Sequence, residues 1–205
     1  MCSKITSSEF SRHIAETRSV NNSFEQPMGP SEFDMSADPH KIYKFIVGVD
    51  AGIPKPISTE DSNLWLQDPF AELVLKAGKF PQTASAVLDA LNETKDCPNG
   101  LSELSIFILA EGGKIPWTEA TAKVDRSFRF VFTMSVHGGI GPDIMISSSI
   151  LVEKNGFLQI MSWDPNKGAF NFYQRNRTFW VWSGDSFDAF NPKSHGKGPF
   201  SGHVT

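Results

Sequence analysis

From Ser127 onward, apolar and polar residues alternate with a period of two. In SFRFVFTMSV, Phe128, Phe130, Phe132, Met134 and Val136 fall on one side, and Arg129, Val131, Thr133 and Ser135 on the other. Successive side chains of a strand point to opposite faces, so this predicts a half-buried strand. Ile144–Val152 continues the pattern with Ile144, Ile146, Ile150 and Val152 in phase. Three more strands are predicted at Phe157–Trp163, Ala169–Arg175 and Thr178–Ser183. The breaks between them carry turn chemistry. Asn155-Gly156 is the signature of a type I′ hairpin turn, whose two central residues need positive φ. Asp164-Pro165-Asn166-Lys167-Gly168 suits a type I turn closed by a left-handed glycine. Turn signals about every ten residues describe an antiparallel meander.

Upstream the pattern differs. Lys41–Val49 (KIYKFIVGV) reads as a first strand, and Ala51–Ser58, with Gly52, Pro54 and Pro56, as a loop. Asp68 is placed to cap a helix, Pro69 suits its first position and Gly78 the position just past its end. Between them Phe70, Leu73, Val74 and Ala77 share a face. Pro81 opens a second helix with Ala84, Val87, Leu88 and Leu91 as its buried stripe. Leu104–Leu109 (LSIFIL) is a buried strand or a short helix, which periodicity alone does not separate. Residues 1–40, rich in Ser, Asn, Glu and Asp, read as a mobile or loosely docked arm.

The expected architecture is therefore α+β: an antiparallel β-meander of about six or seven strands, as a sheet or partly closed barrel, packed with a short αα pair. One domain is expected over 41–205, with the helical pair at about 59–92, the meander at about 127–186 and an irregular tail over 187–205. The chain stops at Thr205 without a helix, strand or charged tail, which suggests native residues beyond it.

Composition narrows the ligand question. The 17 phenylalanines supply a sizeable core. A net charge of −4 disfavours bulk attraction to nucleic acid or anionic membrane. Residues 154–205 carry +3 against −7 for the rest, an asymmetry that solvated surface accounts for. Lys167–Tyr173 (KGAFNFY) only loosely matches an RNA-binding strand pattern, its aromatic positions do not align, and no nucleic-acid partner is expected. Cys2 and Cys97 make neither a disulfide framework nor a metal spacing. No secretory leader and no apolar run long enough for a membrane span are visible, so a soluble, cytoplasmic protein without a membrane partner is expected.

The candidate chemistry sits around the aromatic stretch from Trp163 to Ser186. Phe170 and Phe172 are expected to be core. The opposite face would then carry Tyr173 and Arg175 with Trp163 and one of Trp180 or Trp182, a platform of rings and a cation suited to flat ligands or sugars. Arg175 is expected to be exposed there, so that its loss leaves folding nearly intact. His137 and Asp143 bracket the loop HGGIGPD and could form an oriented general base. That loop joins two strands, which disfavours phosphate binding. Glu111, beside Gly112 and Gly113, reads as a strand-end charge. The tail holds His195 and His203. PFSGH has the frame of a c-type haem motif but neither cysteine, so only non-covalent ligation of haem is open to it. His203 could also close over a pocket mouth. No metal-ligand set is apparent. A small-molecule site, binding or catalytic and with no reaction specified, is the first expectation. A protein–protein or self-association module using the aromatic and arginine face is the alternative, and a non-covalent haem protein a third.

Overall fold

The computed structural model describes residues 33, 35–92, 102–109, 118–119, 129–135, 141–148 and 158–194. They form one eight-stranded sheet and a layer of short helices. In chain order the elements are β1 (Ile42–Lys44), β2 (Lys55–Pro56), α1 (Thr59–Trp65), a π-helical turn α2 (Ala71–Leu75), α3 (Ala84–Asn92), β3 (Ser102–Leu109), β4 (Arg129–Ser135), β5 (Ile144–Ser148), β6 (Leu158–Asp164), β7 (Ala169–Asn176), β8 (Phe179–Asp185) and α4 (Ser186–Ala189). The sheet order is β2-β1-β8-β7-β6-β5-β4-β3, so β3 to β8 form an uninterrupted meander. All pairs are antiparallel except β1 with β8, which is parallel. The sheet is open: it ends on β2 at one side and β3 at the other. The expected α+β meander is present, with eight strands and no barrel closure.

Local chemistry explains most boundaries. Ser58 Oγ accepts from Asp61 N at 3.0 Å and caps α1, whose first turn holds Glu60 and Asp61 near the positive end of the helix. Asp68 caps the next segment as its position predicts, accepting from Ala71 N at 3.1 Å. The segment then widens, with Lys76 N bonded to Ala71 O at 2.8 Å, five residues back, rather than four. Gly78 closes it at φ 76°. α3 buries Ala84, Val87, Leu88 and Leu91, the stripe its spacing predicts. At the β6–β7 turn, Asp164 Oδ1 accepts from Asn166 N and Lys167 N, and Gly168 adopts φ 64°.

Three elements differ from the sequence pattern. β1 stops at Lys44, because the chain turns there around Asp50, whose carboxylate accepts from Ile46 N at 2.8 Å. The loop expected over Ala51–Ser58 contributes Lys55–Pro56 as an edge strand; its prolines fit the margin of a sheet. LSIFIL is a strand but not a buried one: Ile106, Phe107, Ile108 and Leu109 are 45%, 51%, 60% and 43% exposed.

Helices α1 to α3 lie on one face of the sheet. Phe132, Ile146, Ile160 and Tyr173 run in register across β4 to β7 and are buried with Phe70, Val74, Val87 and Leu91 in the main core. A smaller cluster on Tyr43, Phe179 and Val181 is joined by Phe33, Met35, Ala37 and Phe45. No described helix is long and apolar enough to cross a membrane.

Candidate functional site

The sheet register settles which aromatic residues share a face. Across β7 and β8, Tyr173 lies opposite Trp182 and Arg175 opposite Trp180. All four are on the face that the helices cover. Phe70 meets the rings of Tyr173 and Trp180 edge-on, each at 5.1 Å. Trp180 is wholly buried and its indole N–H donates to Pro81 O at 3.0 Å. Trp182 stacks on Trp65 from α1 at 5.7 Å. The expected open platform of Tyr173, Arg175, Trp180 and Trp182 is therefore core. Trp163 is on the other face, edge-on to its cross-strand neighbour Phe170 at 5.1 Å. Arg175 is only 7% exposed, and its Nη1 donates to Arg177 O at 2.7 Å, holding the residue of the β7–β8 turn that adopts φ 52°. Its expected exposure is corrected by this.

A polar centre joins the helical layer to the sheet. Asp68 is fully buried between them. Its Oδ2 accepts from Asn171 Nδ2 at 2.8 Å and from the Tyr173 hydroxyl at 2.5 Å, and Ser162 also hydrogen-bonds to the carboxylate. Asn171 Oδ1 accepts in turn from Trp182 Nε1 at 3.1 Å, and Ser162 Oγ accepts from Phe70 N at 3.1 Å. Burial pushes the Asp68 carboxyl up, against the pull of its hydrogen bonds from Tyr173, Ser162, Ala71 and Asn171. Burial, and then the neighbouring Asp68, pushes the Tyr173 phenol well above its ordinary range, so it stays a donor. Each donor satisfies an acceptor within the protein, which is the arrangement of a structural tie between layers. Sequence alone marks Asp68 as a cap. Its cross-sheet partners, more than 90 residues away, carry no local signal.

Beside this tie the Trp65–Trp182 stack has a cation near each ring. Lys44 Nζ is 5.5 Å from the Trp65 ring centre and Lys167 Nζ 5.6 Å from that of Trp182. Both lysines pair with carboxylates, Asp50 at 3.7 Å and Asp185 at 3.4 Å. Asp188 lies in the same field, its carboxyl raised chiefly by burial. Asp185 and Asp188 also cap α4 reciprocally. Sequence reasoning did not bring Lys44, Trp65 or Asp185 to this place.

Asp143 is buried beside β4, where Ser135 Oγ lies 3.5 Å from its carboxylate, and its carbonyl accepts from Trp163 N at 2.7 Å. Its expected partner His137 lies outside the described residues, as do His195, His203, Glu111, Cys2 and Cys97. Among the described residues no group of His, Cys, Asp and Glu could hold a metal ion.

On the face away from the helices, Phe33, Phe45, Val47, Gln174, Asn176, Val181 and Ser183 line a shallow groove, about 280 Å³ counted out through its open mouth. Its enclosed part has room for little more than a water molecule. Asn176 Oδ1 is buried there and no described residue supplies a donor to it. At the far end of the sheet the outer edge of β3 has no strand beside it among the described residues. No family model, curated protein or solved structure matches the chain.

Proposed function

We propose that this protein is an interaction module that receives an extended segment of another chain along the outer edge of β3. The observation that carries the proposal is the combination of position and exposure. Ile106, Phe107, Ile108 and Leu109 are consecutive, apolar and more than two-fifths exposed, on the last strand of the sheet. Because they alternate in direction, apolar surface is presented on both faces of the edge at once. Such edges are ordinarily blunted by lysine, proline or a covering element, since their unpaired N–H and C=O groups are templates for another strand. The only charge in SELSIFIL is Glu103, near its start. Strand addition would satisfy the backbone groups, and side-chain contacts on alternate faces would provide specificity.

Selection of displayed eight-residue peptides on the immobilised full chain tests this. Extended apolar sequences are expected, binding at least tenfold more weakly to Ile108→Lys. Ile108 is exposed, so lysine there should leave the fold intact while placing a charge on the edge. Peptides that bind the substituted chain equally well would exclude the β3 edge as the surface.

A second reading, a small-molecule site, is favoured by Asn176. A ligand lying in the open mouth of the groove, against Phe33 and Phe45, would reach Oδ1 through one water held in the enclosed part and so complete a buried acceptor. It predicts an added mass on the freshly purified chain in native mass spectrometry that is lost in Asn176→Ala. An added mass that survives that substitution would count against the groove.

A further inference from the structure

We infer that the segment received by β3 is β3 of a second copy, paired antiparallel about a two-fold axis through Phe107. This rests on the strand-addition reading above and names its partner. The exposed edge is apolar on both faces, so a well-matched partner strand must also be apolar on both faces. β3 itself meets that requirement. A two-fold axis relating two antiparallel edge strands stands perpendicular to the sheet. It leaves every residue on its own face, so residues that meet must have numbers of the same parity, and the axis must pass through a residue. The exposed run is Ser105 to Leu109, and its centre is Phe107. About that centre Phe107 meets Phe107, Ile106 meets Ile108 of the other copy, and Ser105 meets Leu109. Aromatic and β-branched cross-strand pairs of this kind are the stabilising contacts of antiparallel ladders.

Charge and bulk agree with the same arrangement. The two Glu103 residues would lie eight strand positions apart, roughly 27 Å at the antiparallel rise. In a parallel, in-register pair they would face each other at about the strand spacing, where like charges oppose pairing. Both helical layers would fall on the same side of the joined sheet. α3 reaches over the sheet at β5, two strands in from the edge. The β5 strands of the two copies would be five spacings apart, roughly 24 Å, which leaves room for two helices about 10 Å wide. The product is one continuous sixteen-stranded sheet with Ile106 and Ile108 of both copies on the helical side and the Phe107 pair on the other.

The test uses the full chain with Cys2→Ser and Cys97→Ser and a single new thiol. With oxidised glutathione, Phe107→Cys is expected to form a disulfide dimer at least tenfold faster than Glu103→Cys, because only the residue on the axis meets its own copy. Sedimentation of the unsubstituted chain is expected to show a dimer that dissociates on dilution and is lost in Ile108→Lys. Equal cross-linking at the two positions, or a dimer indifferent to Ile108→Lys, overturns the pairing. A monomer at every concentration, with selected peptides still bound at the edge, overturns the second copy and leaves strand addition standing. A monomer that also binds no peptide through β3 overturns both.

Discussion

Asp68→Ala is expected to destabilise the protein by about 3–5 kcal/mol, because it strands several buried donors at once. Ala71 N and the Tyr173 hydroxyl lose their acceptor and Asn171 Nδ2 keeps only a long bond to Trp65 O at 3.4 Å, and none can turn to water without opening the seam between helices and sheet. For a chain of this length the midpoint of thermal unfolding should fall by roughly 6–20 °C. Thermal and urea unfolding measure it, and a change within experimental error would mean that Asp68 is not the tie between the layers. The pH dependence gives a sharper comparison with Asp68→Asn, which keeps the shape. The folded-state pKa of Asp68 is raised by burial, so the folded protein binds a proton there more tightly than the unfolded chain. Its contribution is fully present below the unfolded carboxyl range and is lost as pH rises through the raised value. The stability of the natural chain relative to Asp68→Asn should therefore decline from acid toward neutral pH. An increase over that range would contradict burial as the dominant influence.

Trp180→Ala should cost about 3–5 kcal/mol, the range for emptying a large aromatic site in a core. Trp180 is fully buried against Phe70, and its removal also leaves Pro81 O without the indole N–H. The measurement is the urea midpoint, set against Trp163→Ala, where the ring is only half-buried on the opposite face. Trp180→Ala should be clearly the more damaging. If the two cost the same, or Trp180→Ala unfolds like the natural chain, the placement of Trp180 beneath the helices is wrong.

These expectations reverse the face first read from the sequence, and the reason lies in β7 and β8 themselves. Phe170 and Phe172 alternate with Tyr173, and Trp180 and Trp182 alternate with Phe179 and Val181, so both faces look apolar. Alternation fixes which residues travel together but not which set turns inward when both sets are aromatic. What decides is Asp68, a helix cap recognisable from Asp68-Pro69. Its carboxylate reaches Asn171 and Tyr173 across a separation that no local pattern encodes. β4 and β5 were legible from their alternation, and β6 to β8 because Asp164–Gly168 and Asn176–Arg177 are turns in their own right. The wide turn of α2 and the parallel partnership of β1 with β8 were not, since neither is written in nearby residues. LSIFIL was legible as a strand, but apolar composition says nothing about whether a neighbour covers it. Of the residues expected to form a site, the structure brings Tyr173, Arg175, Trp180 and Trp182 together, as packing. It sets Trp163 apart from them.

The parallel pairing of β1 with β8 has a consequence for how the molecule is made. Tyr43 has to meet Val181, with the whole meander between them in the chain. A ribosome delivers β1 and α1 to α3 first, and β8 only after the other strands of the sheet. Phe70, at the head of α2, must therefore wait for the rings of Tyr173 and Trp180 that meet it. Contacts so distant in sequence close slowly, and they leave apolar surface open in the meantime. The seam between helices and sheet thus closes only once β7 and β8 are made, and this sheet is most exposed to misassembly just before the β7–β8 hairpin appears.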